Sequence, residues 1–363
     1  RAARYGGSSY LIPYIICVVV LGCTGVVSEI AFGRWGRSGP YATFRKALTE
    51  RGKPLKNIGL IPVVGSFAMA TGYAIIMGWV LRYLWGSLSG AMFAAEDVGA
   101  YFGAICGDFG SFGWHMLALA TGFAMATAGI SKSIERVCKV MMPLFYVMFI
   151  YMAVRVAMMP GASEGYKYLF ILPDAAHLLD PKTWIFALGQ AFFSLSLAGN
   201  GTIVYGSYLD KKENVLFCSM NIAVFDTLAA MLAAIVVIPA VFAFGLDPAS
   251  GPPLMFITLP MIFFAAILFA AATSLVNLLE TPIEMIQERF GFSRPVSVGL
   301  VITAAALCGV FLENGNVIGE WMDVVSIYVC PVGAFIAAFI FYWIMGPRFA
   351  REQIGLGRDG LAP

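Results

Sequence analysis

The chain has 363 residues, 60% of them hydrophobic and only 12% charged, about half the charged share of a soluble globular domain. Apolar runs long enough to cross a hydrocarbon core of roughly 30 Å recur along it, which excludes a soluble fold. The formal net charge of +2 says little, but the two histidines, His115 and His177, and the scattered cysteines offer no catalytic constellation, so no enzyme is expected.

In chain order, helices are expected at 10–36, 58–86, 112–130, 133–159, 183–209, 214–245, 255–288, 295–312 and 319–346. The first is followed by a basic stretch holding Arg34, Arg37, Arg45, Lys46, Arg51, Lys53 and Lys56. The next connection, Gly86 to Phe112, has no Lys or Arg and carries Glu96, Asp97 and Asp108. Lys132, Arg136 and Lys139 then mark a basic turn, and Gly161 to Lys182 is read as an external connection. Lys211 and Lys212, Arg289 and Arg294, and Arg348, Arg351 and Arg358 mark later basic segments, whereas Gly245 to Pro253 and Glu313 to Glu320 lack basic residues. Basic and non-basic connections alternate, as the positive-inside rule requires of a serpentine chain. The basic ones are therefore assigned to the cytoplasm, and the N-terminal side of the first helix lies outside. Their positive charge suits anionic membrane lipid and not nucleic acid. A full-length span begins within ten residues of Arg1, so no signal peptide is expected. Short external loops without a glycosylation acceptor suggest a multi-pass protein of a prokaryotic inner membrane; Asn200-Gly-Thr202 fits the acceptor pattern but falls inside a span. Cys17, Cys23, Cys106, Cys138, Cys218, Cys308 and Cys330 show no Cys-x-x-Cys spacing and read as small packing residues, neither metal ligands nor a disulfide frame.

The fifth span is unusual. Trp184 to Tyr208 has no charged residue, yet Ser194, Ser196, Gly199, Asn200, Gly201 and Thr202 cluster at its middle. In lipid a helix is broken only where the break lines a cavity, and such breaks make the midplane sites of secondary transporters. Close packing through small residues is the competing explanation. Glu29, Asp226, Glu280 and Asp323 are acidic groups in or beside apolar spans, where an unpaired carboxylate is costly. Asp226 is the sharpest candidate, because a hard cation wants oxygen ligands; a carboxylate capped by Thr227 or water is its structural alternative. Glu29, close to Gly33 and Arg34, suggests a polar network. Thr273 and Ser274 follow three alanines and can face a cavity or bond back to the preceding turn.

Several of these stretches resemble the neurotransmitter:sodium symporter family, and specifically its bacterial amino-acid transporters with the leucine-transporter fold. Gly6-Gly-Ser-Ser-Tyr-Leu-Ile-Pro-Tyr14 and Ser28-Glu-Ile-Ala-Phe-Gly-Arg34 resemble the end of that family's helix 1 and its helix 2. Gly129-Ile-Ser-Lys-Ser-Ile-Glu-Arg136 with Met142-Pro143 resembles the link into helix 5. Gly189-Gln-Ala-Phe-Phe-Ser-Leu-Ser-Leu197 with Tyr205-Gly-Ser-Tyr208 resembles the unwound helix 6, and Phe256-Ile-Thr-Leu-Pro260 the end of an external loop.

The resemblance implies an all-α integral membrane protein of two inverted five-helix repeats with discontinuous helices 1 and 6. Residues 1–160 would form the first repeat, 161–346 the second, and 347–363 a polar cytoplasmic tail. It implies a substrate site of Met69, Tyr73, Phe193, Ser194, Ser196, Leu197, Gly199, Ser274 and Leu278, with Tyr73 on the substrate carboxylate and Phe193 as a lid. Ser194 and Asp226 would serve a first sodium ion; Ala270, Thr273 and Ser274 a second. Asp323 and Glu288 would be the external and internal gate carboxylates. The first half of helix 1 and helices 11 and 12 find no counterpart, so the chain is expected to be a fragment, unable as written to bind sodium in the family's manner. The implied function is sodium-coupled symport of a neutral, hydrophobic amino acid, large or aromatic ones included, since Gly199 would widen the pocket that Met69 narrows. Ala230 replaces a hydroxyl and Asp226 supplies a fixed negative charge, so chloride is not expected to be required. A non-transporting amino-acid sensor on the same scaffold and an ion channel are the alternatives. A channel would want a continuous polar stripe, whereas the polar residues cluster at mid-depth.

Overall fold

The computed structural model describes residues 5–92, 94, 98–128, 135–171, 176–245 and 261–357, and regular structure among them is helical throughout. Helix α1 spans Ser8–Gly36 with a π turn at Gly22–Val26. It is followed by α2 (Pro40–Glu50), α3 (Leu60–Leu88), α4 (Val98–Cys106), α5 (Phe112–Ala128), α6 (Glu135–Ala157) and α7 (Ala162–Phe170). Next come α8 (Pro181–Ser194), α9 (Gly201–Tyr208), α10 (Val215–Ala243), α11 (Met261–Phe290) and α12 (Arg294–Val310). Helix α13 (Gly315–Ile344) and α14 (Pro347–Gly355) complete the described chain.

Each expected span has its helix, with ends displaced by a few residues. The starts are set by local chemistry. Asp180 accepts from the Lys182 amide at 2.9 Å with Pro181 in the first turn, and Asn214 and Asn314 cap α10 and α13 in the same way. The additional short helices α2, α4, α7 and α14 are too short or too polar to have shown as spans. Expectations that fall on 1–4, 129–134, 246–260 or 358–363, including Phe256 to Pro260 and Lys132, lie outside the described residues.

The basic connections meet at one end of the bundle. Arg51 bonds the Met345 carbonyl at 2.5 Å, and Arg294 holds Glu280 through both guanidinium nitrogens at 2.8 and 2.7 Å. At the opposite end Asn314 bonds Asp108 at 2.9 Å, and the Phe109 amide bonds the Glu313 carbonyl at 3.2 Å. The last segment departs from the expected polar tail in being a helix, α14, with Ala350 and Gln353 buried. Its amphipathic face explains the difference: Phe349 meets Trp35 edge-on at 5.3 Å.

Arg34, expected to join a network with Glu29, turns instead to this end. It is 1% exposed and donates to the carbonyls of Glu213 at 2.7 Å, of Leu356 at 3.5 Å, and of Gln353. Two of those carbonyls lie at the C-terminal end of α14, where the helix dipole favours a cation.

Helices α3 and α11 pack along each other through the centre, tied where Ser66 donates to the Leu278 carbonyl at 2.7 Å. Helices α1 and α9 approach closely because each presents a glycine to the other. A Cβ on Gly33 would strike the Ile203 carbonyl, and one on Gly206 the Ile30 carbonyl. Without a hydrophobic driving force in lipid, close backbone approach of this kind supplies the packing energy.

Candidate functional site

The fifth span is broken. Helix α8 ends at Ser194, and three residues within the next six are left-handed: Ser196 (φ 57°), Gly199 (φ 75°) and Asn200 (φ 56°). Only Gly takes that conformation freely; for Ser and Asn it costs on the order of 1 kcal/mol each, so surrounding contacts must hold it. The Glu29 carboxylate does so. It is 1% exposed and accepts from the Asn200 side-chain amide at 2.6 Å and from the Thr202 hydroxyl, tying the start of α9 to α1. Glu29 is thus part of a polar network, with partners on the broken helix and not at Gly33-Arg34.

Beside the break lies a cavity of about 190 Å³ lined by Tyr73, Phe193, Ser194, Ser196, Asp226, Ser274, Asn277 and Leu278. Tyr73, Asp226 and Ser274 each sit near the midpoint of a long helix, α3, α10 and α11, so the cavity is at mid-depth. Tyr73 and Phe193 face each other with ring centroids 6.4 Å apart. The Ser194 hydroxyl donates to Asp226 Oδ2 at 2.6 Å and accepts from the Tyr14 hydroxyl at 3.2 Å. Asp226 is therefore neither a helix-end carboxylate nor capped by Thr227, whose hydroxyl bonds the Ala223 carbonyl at 2.7 Å.

Lining the cavity are Tyr73, Phe193, Ser194, Ser196, Ser274 and Leu278 of the expected substrate set, and three others of that set lie behind its wall. Met69 is fully buried and packs against Phe193 and Leu278. Leu197 is fully buried in the core that includes α1 and faces Gly25 of the π turn, where a Cβ would lie 2.9 Å from Leu197 Cδ1. Gly199 is not a void that enlarges the pocket: a Cβ there would lie 2.5 Å from that of Ser66, and its positive φ already favours glycine.

Among the residues assigned to a second ion, Thr273 bonds back to the Ala270 carbonyl at 2.9 Å and Phe269 at 3.3 Å. Ser274 interacts with Tyr73. Asp323 lies two residues before the π turn Val325–Val329 of α13. Glu288 accepts from the backbone amides of Gly39 and Ala42 and so caps the N-terminus of α2, a role that the expectation of a gate did not include.

A family model described as the sodium:neurotransmitter symporter family matches residues 1–108 and 103–246. The chain belongs to this family. It is 29% identical to an uncharacterized sodium-dependent transporter of Haemophilus influenzae over 84% of this chain and 71% of that protein. It is 31% identical to the uncharacterized sodium-dependent transporter YhdH of Bacillus subtilis, over 77% of this chain and 64% of that protein. The solved structure of MhsT in complex with L-phenylalanine superposes with a TM-score of 0.92 at 30% identity, covering 99% of this chain and 87% of that one. The all-α membrane fold with a discontinuous helix 6 is thus the fold of a symporter in this family, and the family is one of transporters, not enzymes.

One lining residue escaped the sequence reading. Asn277 stands three residues after Ser274 and one before Leu278, on the same face of α11. That spacing, with a carboxamide inside an apolar span, was the available signal.

Proposed function

We propose that this protein carries sodium down its gradient together with a neutral, hydrophobic amino acid, by alternating access across a prokaryotic inner membrane, with its basic connections in the cytoplasm. The observation that carries this reading is the break over Leu195 to Asn200 beside a mid-depth cavity that gathers Tyr73, Ser194, Asp226 and Ser274. A zwitterion needs donors for its carboxylate and acceptors for its ammonium, and the Tyr73 hydroxyl beside an interrupted helix supplies both kinds of group. Ser194 and Asp226 are the oxygens for a first sodium ion, a hard cation suited to hydroxyl and carboxylate. Ala270, Thr273 and Ser274 serve a second. Both ions are cargo. Phe193 covers the substrate, Leu278 forms the apolar wall with Met69 packed behind it, and Asp323 is the external gate. Glu288, to act as the internal gate, must exchange its bonds to Gly39 and Ala42. Residues 1–160 and 161–346 act as the inverted repeats, and sodium with substrate favours the state in which their contact closes over the cavity, since a ligand shifts an equilibrium only by its differential affinity.

The Asp226 carboxylate also supports chloride-independent uptake. The cavity lined by Tyr14, Gln190 and Ala230 lies next to the Tyr14–Ser194–Asp226 chain, and Ala230 offers no hydroxyl there. The MhsT complex contains L-phenylalanine, which supports a neutral apolar substrate here. Uptake of labelled amino acids into proteoliposomes holding the full-length protein, with and without a sodium gradient, tests the proposal. Sodium-dependent accumulation is expected; binding without accumulation would make it a sensor, and sodium current without amino acid a channel.

A further inference from the structure

At the basic end of the bundle three carboxylates follow one another along α11, four residues apart: Glu280, Glu284 and Glu288. At that spacing they share one face of the helix. Two of them are well partnered. Both oxygens of Glu280 are held by Arg294 of α12, and Glu288 accepts from the amides of Gly39 and Ala42. Glu284 is not. Its Oε1 receives the Tyr208 hydroxyl of α9 at a long 3.4 Å, and its Oε2 is buried without a hydrogen-bond partner. The chain just before α2 covers that oxygen, for a Cβ on Gly39 would strike it. The neighbouring cations are engaged elsewhere: Arg294 by Glu280 and the Ala126 carbonyl, and Arg37 by the carbonyls of Ser207 and Leu209 at the end of α9. Glu284 thus lies in a seam, with α11 on one side and Tyr208 and Gly39 on the other. Those two sit on the side where α1 and α9 pack backbone to backbone. A carboxylate oxygen shut away from water without a donor is costly, and the cost disappears if the group is neutral or if the seam opens to water.

We infer that Glu284 makes closure of the basic end proton-sensitive: the seam between α9 and α11 closes over a protonated Glu284 and loosens when that group ionises. This rests on the proposed alternating access and adds the condition under which its cytoplasmic side opens. The titratable groups that face Glu284 are Tyr208 from α9, Glu280 and Glu288 from α11 itself, and Arg294 from α12; the segment before α2 meets it with the Gly39 backbone. Glu280 and Glu288 repel a charge on Glu284, and Arg294 attracts it while both its terminal nitrogens bond Glu280. The sign follows from the burial. The closed seam holds the proton more tightly than the open one, so closure is favoured at low pH and lost as the pH rises. Glu288 meets its donors in the same seam and keeps them at closure, so the unpaired oxygen of Glu284 is where closing the seam and shedding the proton oppose each other.

Hydrogen–deuterium exchange on the full-length protein in sodium-free buffer tests this, with rates expressed as protection factors so that the intrinsic pH dependence of exchange is removed. Between about pH 6 and about pH 9, wild-type protection over α9 and the first turn of α2 is expected to fall by about three- to tenfold, within the ceiling of about tenfold per pH unit for one linked proton. Protection over α5, remote from the seam, should stay level. Glu284→Gln, neutral at every pH, should hold the wild type's low-pH protection throughout; Glu284→Met, apolar and of similar length, should do the same if the carboxamide is not tolerated. Tyr208→Phe keeps the carboxyl group, so it should lower the protection of α9 while retaining the slope. Level protection over wild-type α9, a fall shared equally by α5, or a slope that survives in Glu284→Gln or Glu284→Met overturns the inference. Sodium-dependent uptake in proteoliposomes is read separately. If uptake fails, the proposed function falls and the slope alone decides whether the seam is proton-linked; a flat profile beside intact uptake removes this inference alone.

Discussion

Two of the buried polar networks among the described residues do different work. At the break, Glu29 holds Asn200 and Thr202, and Asp226 holds Ser194, all beside a cavity of about 190 Å³. Near the non-basic end, Trp79 Nε1 donates to Ser111 at 2.9 Å, Ser111 to Glu313 at 3.0 Å, and His115 Nδ1 pairs with Glu313 at 2.8 Å. The second network packs closely at His115. His115 is fully buried, and a Cβ on Gly309 would strike its ring. It ties α3, α5 and the turn before α13 together. Burial and polarity alone do not mark a transport site; at the break they come with a cavity lined by Tyr73, Ser194, Asp226 and Ser274.

The sharpest test of that contrast is to damage the second network. Glu313→Ala leaves Ser111 and His115 buried without their acceptor and should lower stability by about 3 kcal/mol, read as a fall in the thermal midpoint of the detergent-solubilised protein. Sodium affinity per folded molecule should stay constant; a large change in it would mean that this network belongs to the transport site after all. Asp226→Ala should do the reverse. An interaction with a charged group contributes about 1.5–3 kcal/mol, so the sodium concentration for half-maximal substrate binding should rise by about ten- to a hundredfold while the melting temperature moves little. Gly199→Ala adds a Cβ against Ser66 at a left-handed residue, where the conformation alone costs about 1–2 kcal/mol. It should weaken substrate binding roughly tenfold by distorting the break, and unchanged affinity would show that the break tolerates reshaping. The smallest effect is none: replacing chloride by gluconate should leave sodium-driven uptake undiminished, and an absolute chloride requirement would show that Asp226 does not stand in for the anion.

Much of the fold was legible because lipid imposes a simple rule. Every spanning segment must be apolar and satisfy its own backbone, so the long runs announced α1, α3, α10, α11 and α13 directly. The break was legible for the complementary reason: Ser, Gly and Asn gathered within a few residues cannot be explained by lipid contact. Short helices such as α2 and α14 escaped because their amphipathic faces are defined by neighbours hundreds of residues away, Met345 for Arg51 and Trp35 for Phe349. Leu197 and Gly199 were assigned to the pocket by resemblance to the family. A left-handed residue on either side of Leu197 reverses which way the chain faces, and no one-dimensional pattern reports that turn.

The amino-acid order alone pointed to a chain that spans a membrane, to one helix interrupted at its centre, and to Asp226 as a carboxylate that is costly in lipid. Only the tertiary structure decided which groups meet there: that Glu29 caps the far half of the broken helix, that Arg34 serves the opposite end, and that Asn277 joins the lining of the cavity. The physical reason is one of range. Hydrophobicity and backbone satisfaction act within a segment and so are written in it, whereas a hydrogen bond across 171 residues of chain exists only once packing has brought its two ends together.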